Sequence, residues 1–157
     1  MKKTLILRFS SLGDVVMTVP IIRCLCERYP NDQFVVVSRK KFKPFFEEYQ
    51  NLTFFHVDFE NRHKGLFGIF RLFKDLKKVK PNILHLISLR PAVVGMIASL
   101  LFKKIQIFIT FTGLGFIFIR QNIITKTLRF ILQIFFFVIS RTRKVFAVVQ
   151  NKDDYYC

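Results

Sequence analysis

The chain has 157 residues, of which 52% are hydrophobic and 23% are charged, so its composition fits one folded domain and excludes a disordered basic tail. Its 26 Lys and Arg residues outnumber its 10 Asp and Glu residues, for a formal net charge of +16, but they form no nucleic-acid-binding motif, so nucleic acid is not expected as a partner. Its three cysteines are too few for a disulfide framework, which favours a reducing compartment.

In the first half of the chain, apolar runs alternate with segments of helical periodicity. The run at residues 4–9 predicts a strand that ends at a Ser-Ser-Leu-Gly loop, and the apolar spacing over residues 15–29 predicts a helix that Pro30 ends. The elements predicted next are a strand at 34–38, a short amphipathic segment at 42–49, a strand at 52–57 and a helix at 66–79.

The same alternation continues in the second half. The predicted elements are a strand at 83–87, a helix at 91–102 with Pro91 in its first turn, a strand at 105–110, a helix at 127–140 and a strand at 145–149. Because the strands are apolar throughout and alternate with helices, they predict an α/β fold with a Rossmann-like, doubly wound, mainly parallel sheet. We expect about six strands, with helices covering both faces of the sheet.

The loops that follow the carboxyl ends of parallel strands are the places where a site is expected. The loop at residues 10–14 contains a single glycine, so it is not a dinucleotide-binding fingerprint, and the chain contains no P-loop motif. NAD, FAD and P-loop nucleotide chemistry are therefore disfavoured, and no cofactor is predicted. Cys24 and Cys26 lie two positions apart on one helix and do not face each other, so no metal site is predicted.

Asp14 is the strongest candidate for chemistry. Residues 79–152 contain no Asp or Glu, so a carboxylate base has to come from the first half of the chain or from its last residues. Asp14 stands between a predicted strand and a predicted helix, where it could take a proton from an acceptor hydroxyl. The alternative is a capping box, in which the Ser11 hydroxyl accepts from the Asp14 amide and the carboxylate reaches back. The two interpretations are compatible.

Basic residues on two other predicted loops are weaker candidates. His63, which is flanked by Arg62 and Lys64, could contact a phosphate, and Arg90 lies on another loop at the same edge of the sheet. For both segments the alternative is an ordinary solvated basic loop.

One histidine and two glycines complete the candidates. His85 lies near the carboxyl end of the fourth strand. There it either contacts an acceptor or is a half-buried histidine whose hydrogen bonds are made within the protein. Gly113 and Gly115 could present backbone amides to an anion or a sugar, and the alternative is a tight turn after the strand.

A family resemblance rests on the start of the chain. Residues 8–20 read Arg-Phe-Ser-Ser-Leu-Gly-Asp-Val-Val-Met-Thr-Val-Pro, and Glu-Arg-Tyr-Pro follows at 27–30. Together with Lys-Phe-Lys-Pro-Phe-Phe at 41–46 and Arg-His-Lys-Gly-Leu at 62–66, this segment resembles the lipopolysaccharide heptosyltransferases of glycosyltransferase family 9. The likeness covers about half of the chain, to about residue 78.

This resemblance implies a GT-B enzyme that transfers heptose from ADP-heptose to the anionic inner core of lipopolysaccharide, with inversion. It implies that Asp14 is the catalytic base and that Ser10, Ser11 and Gly13 shape the acceptor side. The weaker candidates then divide between acceptor contacts (His63, Lys64, His85, Arg90) and donor contacts (Gly113, Gly115).

The likeness changes in the second half. Pro-Asn-Ile-Leu-His-Leu at 81–86, Arg-Pro-Ala-Val-Val-Gly at 90–95, Thr-Gly-Leu-Gly-Phe at 112–116 and Gln-Asn-Lys-Asp-Asp at 150–154 resemble the amino-terminal domain of family 4 glycosyltransferases. That resemblance implies the alternative of a UDP-sugar donor and a lipid-linked acceptor for O-antigen or capsule. In both families a second domain binds most of the donor. We therefore expect residues 1–157 to form one amino-terminal domain with a family seam near 78–82, to lack the second domain, and to have little activity alone.

Membrane contact is the remaining expectation. The apolar stretches at 105–119 and 130–139 are shorter than the ~20 residues of a spanning helix, and the first residues do not form a secretory signal. The helix at 127–140 is apolar nearly all round, which is typical either of a sheet-covering core helix or of a membrane-surface helix. We expect a cytoplasmic protein, peripheral on the inner face of the cytoplasmic membrane. A non-catalytic remnant that binds this surface is a third possible function.

Overall fold

Six parallel strands form the sheet at the centre of the computed structural model of the protein. The structure describes residues 1–9, 11–46, 49–56, 73–74, 76–102, 104–112 and 122–149. The strands are β1 (Lys3–Leu7), β2 (Gln33–Ser38), β3 (Leu52–His56), β4 (Ile83–Ile87), β5 (Gln106–Phe111) and β6 (Lys144–Val149). The helices are α1 (Leu12–Arg28), α2 (Leu89–Ser99) and α3 (Ile123–Thr142), with a 3₁₀ helix at Lys40–Phe46 and further helical residues at 73–74 and 76–79.

The strand order is β3-β2-β1-β4-β5-β6, and every neighbouring pair is parallel. Leu5 in the middle of β1 is paired with Val35 of β2 on one side and with Leu84 of β4 on the other. This is the order of a doubly wound Rossmann-like sheet, which confirms the predicted fold class. The chain reverses its direction of travel across the sheet between β1 and β4, and in such folds the ligand crevice opens at that point.

The two faces of the sheet are covered by different helices. Successive side chains of β1 point to opposite faces. Leu5 and Leu7 are fully buried in the larger apolar cluster, to which α2 and α3 contribute. Ile6 belongs to a second cluster, formed with α1 and the 3₁₀ helix. Arg8, which directly follows β1, continues the alternation on the face of Ile6, and its guanidinium reaches the Asp14 C=O in the first turn of α1.

β6 departs from the prediction that the sheet is covered on both faces. Phe146 and Val148 of β6 are 48% and 50% exposed, although the Phe146 ring stacks on Phe108 of β5 with the ring centroids 4.9 Å apart. Among the described residues, α1 and the 3₁₀ helix are the elements packed on that face. They belong to the connections between β1, β2 and β3, and right-handed crossovers keep them over those strands.

The elements predicted within the described residues exist, and their ends differ from the predicted ends by a few residues. β4 has the predicted bounds. α1 begins at Leu12, three residues before the predicted start, because Val15 N–H already donates to Ser11 C=O over 3.1 Å. The amphipathic segment predicted at 42–49 is the 3₁₀ helix Lys40–Phe46, which contains Pro44. Most of the helix predicted at 66–79 lies outside the described residues, and its last residues are helical.

α3 is longer than its apolar pattern predicted. It starts at Ile123, where the Asn122 side chain caps the helix by accepting from Thr125 N–H over 2.9 Å, and it ends at Thr142. Among the described residues, α3 is the one helix long and apolar enough to cross a membrane by length and composition, with a mean hydropathy of 1.7. This corrects the expectation that no segment reaches that length.

Candidate functional site: a crevice at the carboxyl ends of β1, β4 and β5

A crevice of about 210 Å³ opens between α1 and the carboxyl ends of β1, β4 and β5. It lies where the strand order reverses, which is the position that the doubly wound topology predicts for a ligand. Its polar lining residues are Arg8, Asp14, Thr18, His85, Thr110 and Thr112. Its apolar lining residues are Ile6, Met17, Ile21, Ile22, Leu25 and Ile87.

Arg8 forms the floor of the crevice and is almost fully buried. Its backbone is held to β2, because its N–H donates to Val37 C=O over 3.1 Å and its C=O accepts from the Ser38 hydroxyl over 2.6 Å. Its guanidinium donates to Thr112 Oγ1 over 3.4 Å and to Asp14 C=O over 3.3 Å. The buried Nε has no hydrogen-bond partner within the described part of the protein. Burial lowers the pKa of Arg8, and the Asp14 carboxylate opposes that shift.

Asp14 lies at the mouth of the crevice in the first turn of α1. Its Oδ1 is 3.5 Å from Arg8 Nη2, and its Oδ2 accepts from the Ser11 hydroxyl over 3.0 Å. The side chain remains 49% exposed, so the carboxylate is fixed at both oxygens and still open to a ligand. The predicted capping box is wrong in its hydrogen bonds: Ser11 is the N-cap residue, but its hydroxyl donates to the carboxylate instead of accepting from a backbone amide.

His85 and Thr110 line the far wall of the crevice on adjacent strands. His85 Nε2 and Thr110 Oγ1 are 2.9 Å apart and share a hydrogen bond. Burial lowers the pKa of His85, so the imidazole is neutral at neutral pH. A neutral imidazole hydrogen-bonded to a threonine hydroxyl suits a polar, uncharged ligand group better than an anion.

The near wall is apolar and open to solvent. Met17 is 76% exposed and Ile21 is 56% exposed, and both side chains line the crevice from α1. The rest of the lining contains a carboxylate, a guanidinium, an imidazole and hydroxyl groups, which together offer both donors and acceptors. Such a site suits a small polyhydroxylated ligand with one apolar face.

The structure brings some of the predicted residues together and not others. Asp14 and His85 line the crevice, and Ser11 contacts Asp14. Gly13 is exposed, with nothing within 4 Å of the position a Cβ would take, and Arg90 is exposed in the first turn of α2; neither lines the crevice. The remaining predicted residues lie outside the described residues: Ser10, His63, Lys64, Gly113 and Gly115.

Four polar residues of the crevice were missed as candidates from the sequence: Arg8, Thr18, Thr110 and Thr112. Arg8 carried a signal, since a charged residue directly after an apolar strand requires a partner when it is buried. Thr110 and Thr112 also carried one, because they alternate with apolar residues at the end of β5 and so share a face. Thr18 carried no signal in the sequence. A threonine within a helix can satisfy its hydroxyl on a backbone carbonyl of the preceding turn, as Thr18 does on Asp14 C=O.

Within the described part of the chain, no three His, Cys, Asp or Glu residues come together in a group that could hold a metal ion. Of the two described cysteines, Cys24 is exposed and Cys26 is buried, which agrees with the prediction that they do not face each other.

Comparison with known families shows the family of the chain. Residues 17–148 match the family described as glycosyl transferase 4-like. The chain belongs to this family. The match extends across residues 78–82, where the two sequence resemblances meet, and it confirms the resemblance to family 4 at the level of the family. No curated protein sequence matches the chain significantly.

Solved structures share the fold of this glycosyl transferase 4-like domain at low identity. The glycosyl transferase of family 9 from Veillonella parvula is 20% identical with a TM-score of 0.55, over 68% of this chain and 31% of that one. MurG from Acinetobacter baumannii is 17% identical with a TM-score of 0.59, over 95% of this chain and 45% of that one. A UDP-N-acetylglucosamine 2-epimerase is 14% identical with a TM-score of 0.57, over 93% of this chain and 41% of that one. The matched region is therefore less than half of each of these structures.

Proposed function

We propose that the chain is the acceptor-side domain of an inverting glycosyltransferase that uses a nucleotide-sugar donor, with Asp14 as the general base. The observation that carries this proposal is the Asp14 carboxylate, which is half exposed at the crevice mouth while Ser11 and Arg8 hold its two oxygens. Membership of the glycosyl transferase 4-like family supports the reaction class.

In this mechanism an acceptor sugar lies in the crevice against Met17 and Ile21, with its hydroxyls near the polar lining. Asp14 removes the proton from the attacking hydroxyl as that oxygen bonds to the anomeric carbon of the donor. The bond between that carbon and the nucleotide diphosphate breaks on the opposite side, and the diphosphate leaves with the electron pair. Arg8 Nη2, 3.5 Å from one carboxylate oxygen, and the Ser11 hydroxyl, which donates to the other, hold the Asp14 carboxylate in place.

The first candidate is transfer of heptose from ADP-heptose to the anionic lipopolysaccharide inner core. Its support is local, because Arg8, Ser11 and Asp14 all belong to the segment that resembles the heptosyltransferases. The acceptor roles of Ser10, His63 and Lys64 and the donor roles of Gly113 and Gly115 remain predictions within this candidate.

The second candidate is transfer from a UDP-sugar to a lipid-linked acceptor, supported by the family match over residues 17–148. A donor panel separates the two. Radiolabelled ADP-heptose and several UDP-sugars are each offered with a heptose-free lipopolysaccharide core and with a lipid-linked acceptor. The assay uses the chain alone and the chain joined after residue 149 to the donor-binding domain of a related glycosyltransferase.

Asp14→Asn tests the role of the base, because it keeps the size and polarity of the side chain and removes its basicity. We expect transfer to fall by about 10²–10⁴-fold, the usual contribution of a general base. Ser11→Ala removes one hydrogen bond and should lower the rate only about five-fold. Asp32→Asn is the matched control. The Asp32 carboxylate accepts from Lys2 N–H at the amino ends of the strands, away from the crevice at their carboxyl ends. Unchanged transfer by Asp14→Asn would refute the mechanism.

A further inference from the structure

The side of α3 that points away from the sheet is covered by large apolar side chains. One row consists of Ile123, Phe130 and Phe137, which are 82%, 63% and 58% exposed. A second row consists of Ile124, Ile131 and Val138, which are 76%, 55% and 54% exposed. Within each row the residues are seven positions apart, which is close to two helical turns, so the rows run side by side along the helix. These six residues are called the outer face of α3.

The opposite side of α3 is fixed to the domain. Ile139 is buried in the core cluster, and Phe135 and Phe136 pack against it. The Phe136 ring meets Phe111 of β5 edge to face, with the ring centroids 6.1 Å apart. The outer face is therefore presented by a helix whose position the sheet determines, and not by a loose segment.

The connectivity makes α3 lie along a surface and not across a bilayer. A helix of 20 residues is about 30 Å long, close to the thickness of the hydrocarbon core. However, its last residue is followed after one cap residue by β6, and β6 pairs with β5 over six residues. If α3 crossed the bilayer, the strand that follows it would have to leave that pairing. We infer that the outer face of α3 docks on the surface of an anionic phospholipid bilayer, with the helix axis in the plane of the membrane.

The charges around α3 select an anionic surface. Residues 79–152 contain no Asp or Glu. The exposed Lys126 lies in the first turns of the helix and the exposed Arg141 in its last turn. The Arg141 guanidinium lies 4.7 Å from the centre of the Phe137 ring, so a cation sits directly beside the outer face. Long basic side chains beside an apolar face can reach the headgroup layer while the apolar residues enter the acyl boundary.

A basic cavity extends this charged surface at the C-terminal end of α3. It has a volume of about 450 Å³ at the amino edge of the sheet, and Thr142 and Arg143 form part of its lining. Lys2, Lys104 and Lys144 also line it, and its lining contains no carboxylate among the described residues. Lipid phosphates are the anions that a membrane would offer next to the end of the docked helix.

The same charges argue against a second copy of the chain as the occupant. Two copies facing each other through α3 would each bring a formal charge of +16 and would have no carboxylates in residues 79–152 to pair with the opposing cations. An anionic bilayer offers both an apolar layer and the opposite charge. The outer face lies outside the crevice, so membrane binding can be tested without any glycosyl transfer.

The test is sedimentation of the 157-residue chain with vesicles. Vesicles of phosphatidylcholine alone are compared with vesicles in which about a third of the lipid is phosphatidylglycerol. We expect binding to the anionic vesicles, much weaker binding to the neutral ones, and release by high salt. Equal binding to both, or no binding to the anionic vesicles, would overturn the proposal. Retention after an alkaline carbonate wash would also overturn it, because a helix lying on the surface is extractable and a spanning helix is not.

Two double variants locate the contact. Phe130→Gln with Phe137→Gln removes the aromatic residues of the outer face and should lower the partition coefficient by about thirty-fold or more. Its matched control is Val16→Gln with Phe45→Gln, which removes two exposed apolar residues (42% and 39%) on the other side of the sheet and should leave binding unchanged. If the α3 variant loses its native circular dichroism, Ile123→Gln with Ile124→Gln, at the two most exposed positions, replaces it.

The second pair tests the charges. Lys104→Gln with Lys144→Gln should lower binding to the anionic vesicles by about twenty- to thirty-fold, because each lysine near such a surface contributes about a five-fold factor. Lys40→Gln with Lys41→Gln, on the 3₁₀ helix, has the same charge change and should have little effect. If both pairs act equally, the basic cavity has no special role and the proposal is wrong.

Light scattering tests the alternative that the outer face is a protein interface. If Phe130→Gln with Phe137→Gln abolishes self-association of the chain while vesicle binding is unchanged, the proposal is overturned.

Discussion

Gly95 on α2 allows the helix to approach β4 closely, and its substitution tests that packing. Gly95 is buried, and a Cβ at this position would overlap Leu86 Cδ2 and lie 2.9 Å from Leu86 Cδ1 and 3.0 Å from Cγ. Leu86 itself is fully buried, so it has no free space into which to move. Leu86 also neighbours His85 and Ile87 on β4, two residues that line the crevice on the opposite face of the sheet.

The magnitude follows from two opposing effects. Overpacking a tight core costs about 1–3 kcal/mol, and this contact belongs at the upper end because three carbon atoms are affected. Replacing glycine by alanine inside a helix returns about 1 kcal/mol. We therefore expect Gly95→Ala to lower the free energy of unfolding by about 1–2 kcal/mol. For a domain of this size that corresponds to a fall in Tm of about 2–8 °C.

Urea denaturation followed by circular dichroism measures this change, and a double-mutant cycle assigns its cause. Leu86→Ala alone should cost about 2–5 kcal/mol, because it leaves a cavity. In the double variant the methyl group introduced at position 95 occupies part of that cavity, so the total should be less than the sum of the two single effects by at least about 1 kcal/mol. Additive effects would refute the close contact. Gly13→Ala is the control: nothing lies within 4 Å of its Cβ position, so it should be neutral or slightly stabilising.

Three further predictions concern the crevice and α1. Arg8→Lys keeps the charge but cannot reach Thr112 and Asp14 together, so it should lower the free energy of unfolding by about 1–3 kcal/mol in urea titrations, and an unchanged midpoint would contradict the role of the guanidinium. Because burial lowers the pKa of His85, the unfolded chain binds a proton below about pH 6.5 that the folded chain does not, and stability should fall as the pH decreases from there by at most about 1.4 kcal/mol per pH unit. His85→Gln should flatten this dependence relative to a His56→Gln control, and equal slopes in the two variants would refute the assignment. Burial raises the pKa of Cys26 to about 11 while Cys24 is exposed, so peptide mapping after alkylation at neutral pH should find Cys24 modified first and Cys26 protected until the chain unfolds.

Local patterns predicted the order of the elements well. Apolar runs that end at Pro30 or Pro81 marked the ends of helices, and β4 has the bounds that its apolar run predicted. The misplaced boundaries have local causes that periodicity does not report. α3 starts four residues early because Asn122 caps it, and α1 starts three residues early because its first three residues are exposed and show no apolar periodicity.

For the candidate site, the sequence by itself predicted Asp14: it is the carboxylate at the first strand–helix turn, in a chain whose residues 79–152 contain no Asp or Glu. Only the tertiary structure decided what surrounds it. Arg8 and Thr112 are 104 positions apart and meet because β1, β4 and β5 are neighbours in the sheet, which is a consequence of long-range pairing. The exposure of α3 is also tertiary: its composition fits a core helix and a surface helix equally, and only packing against one side of the sheet leaves its outer face open to solvent.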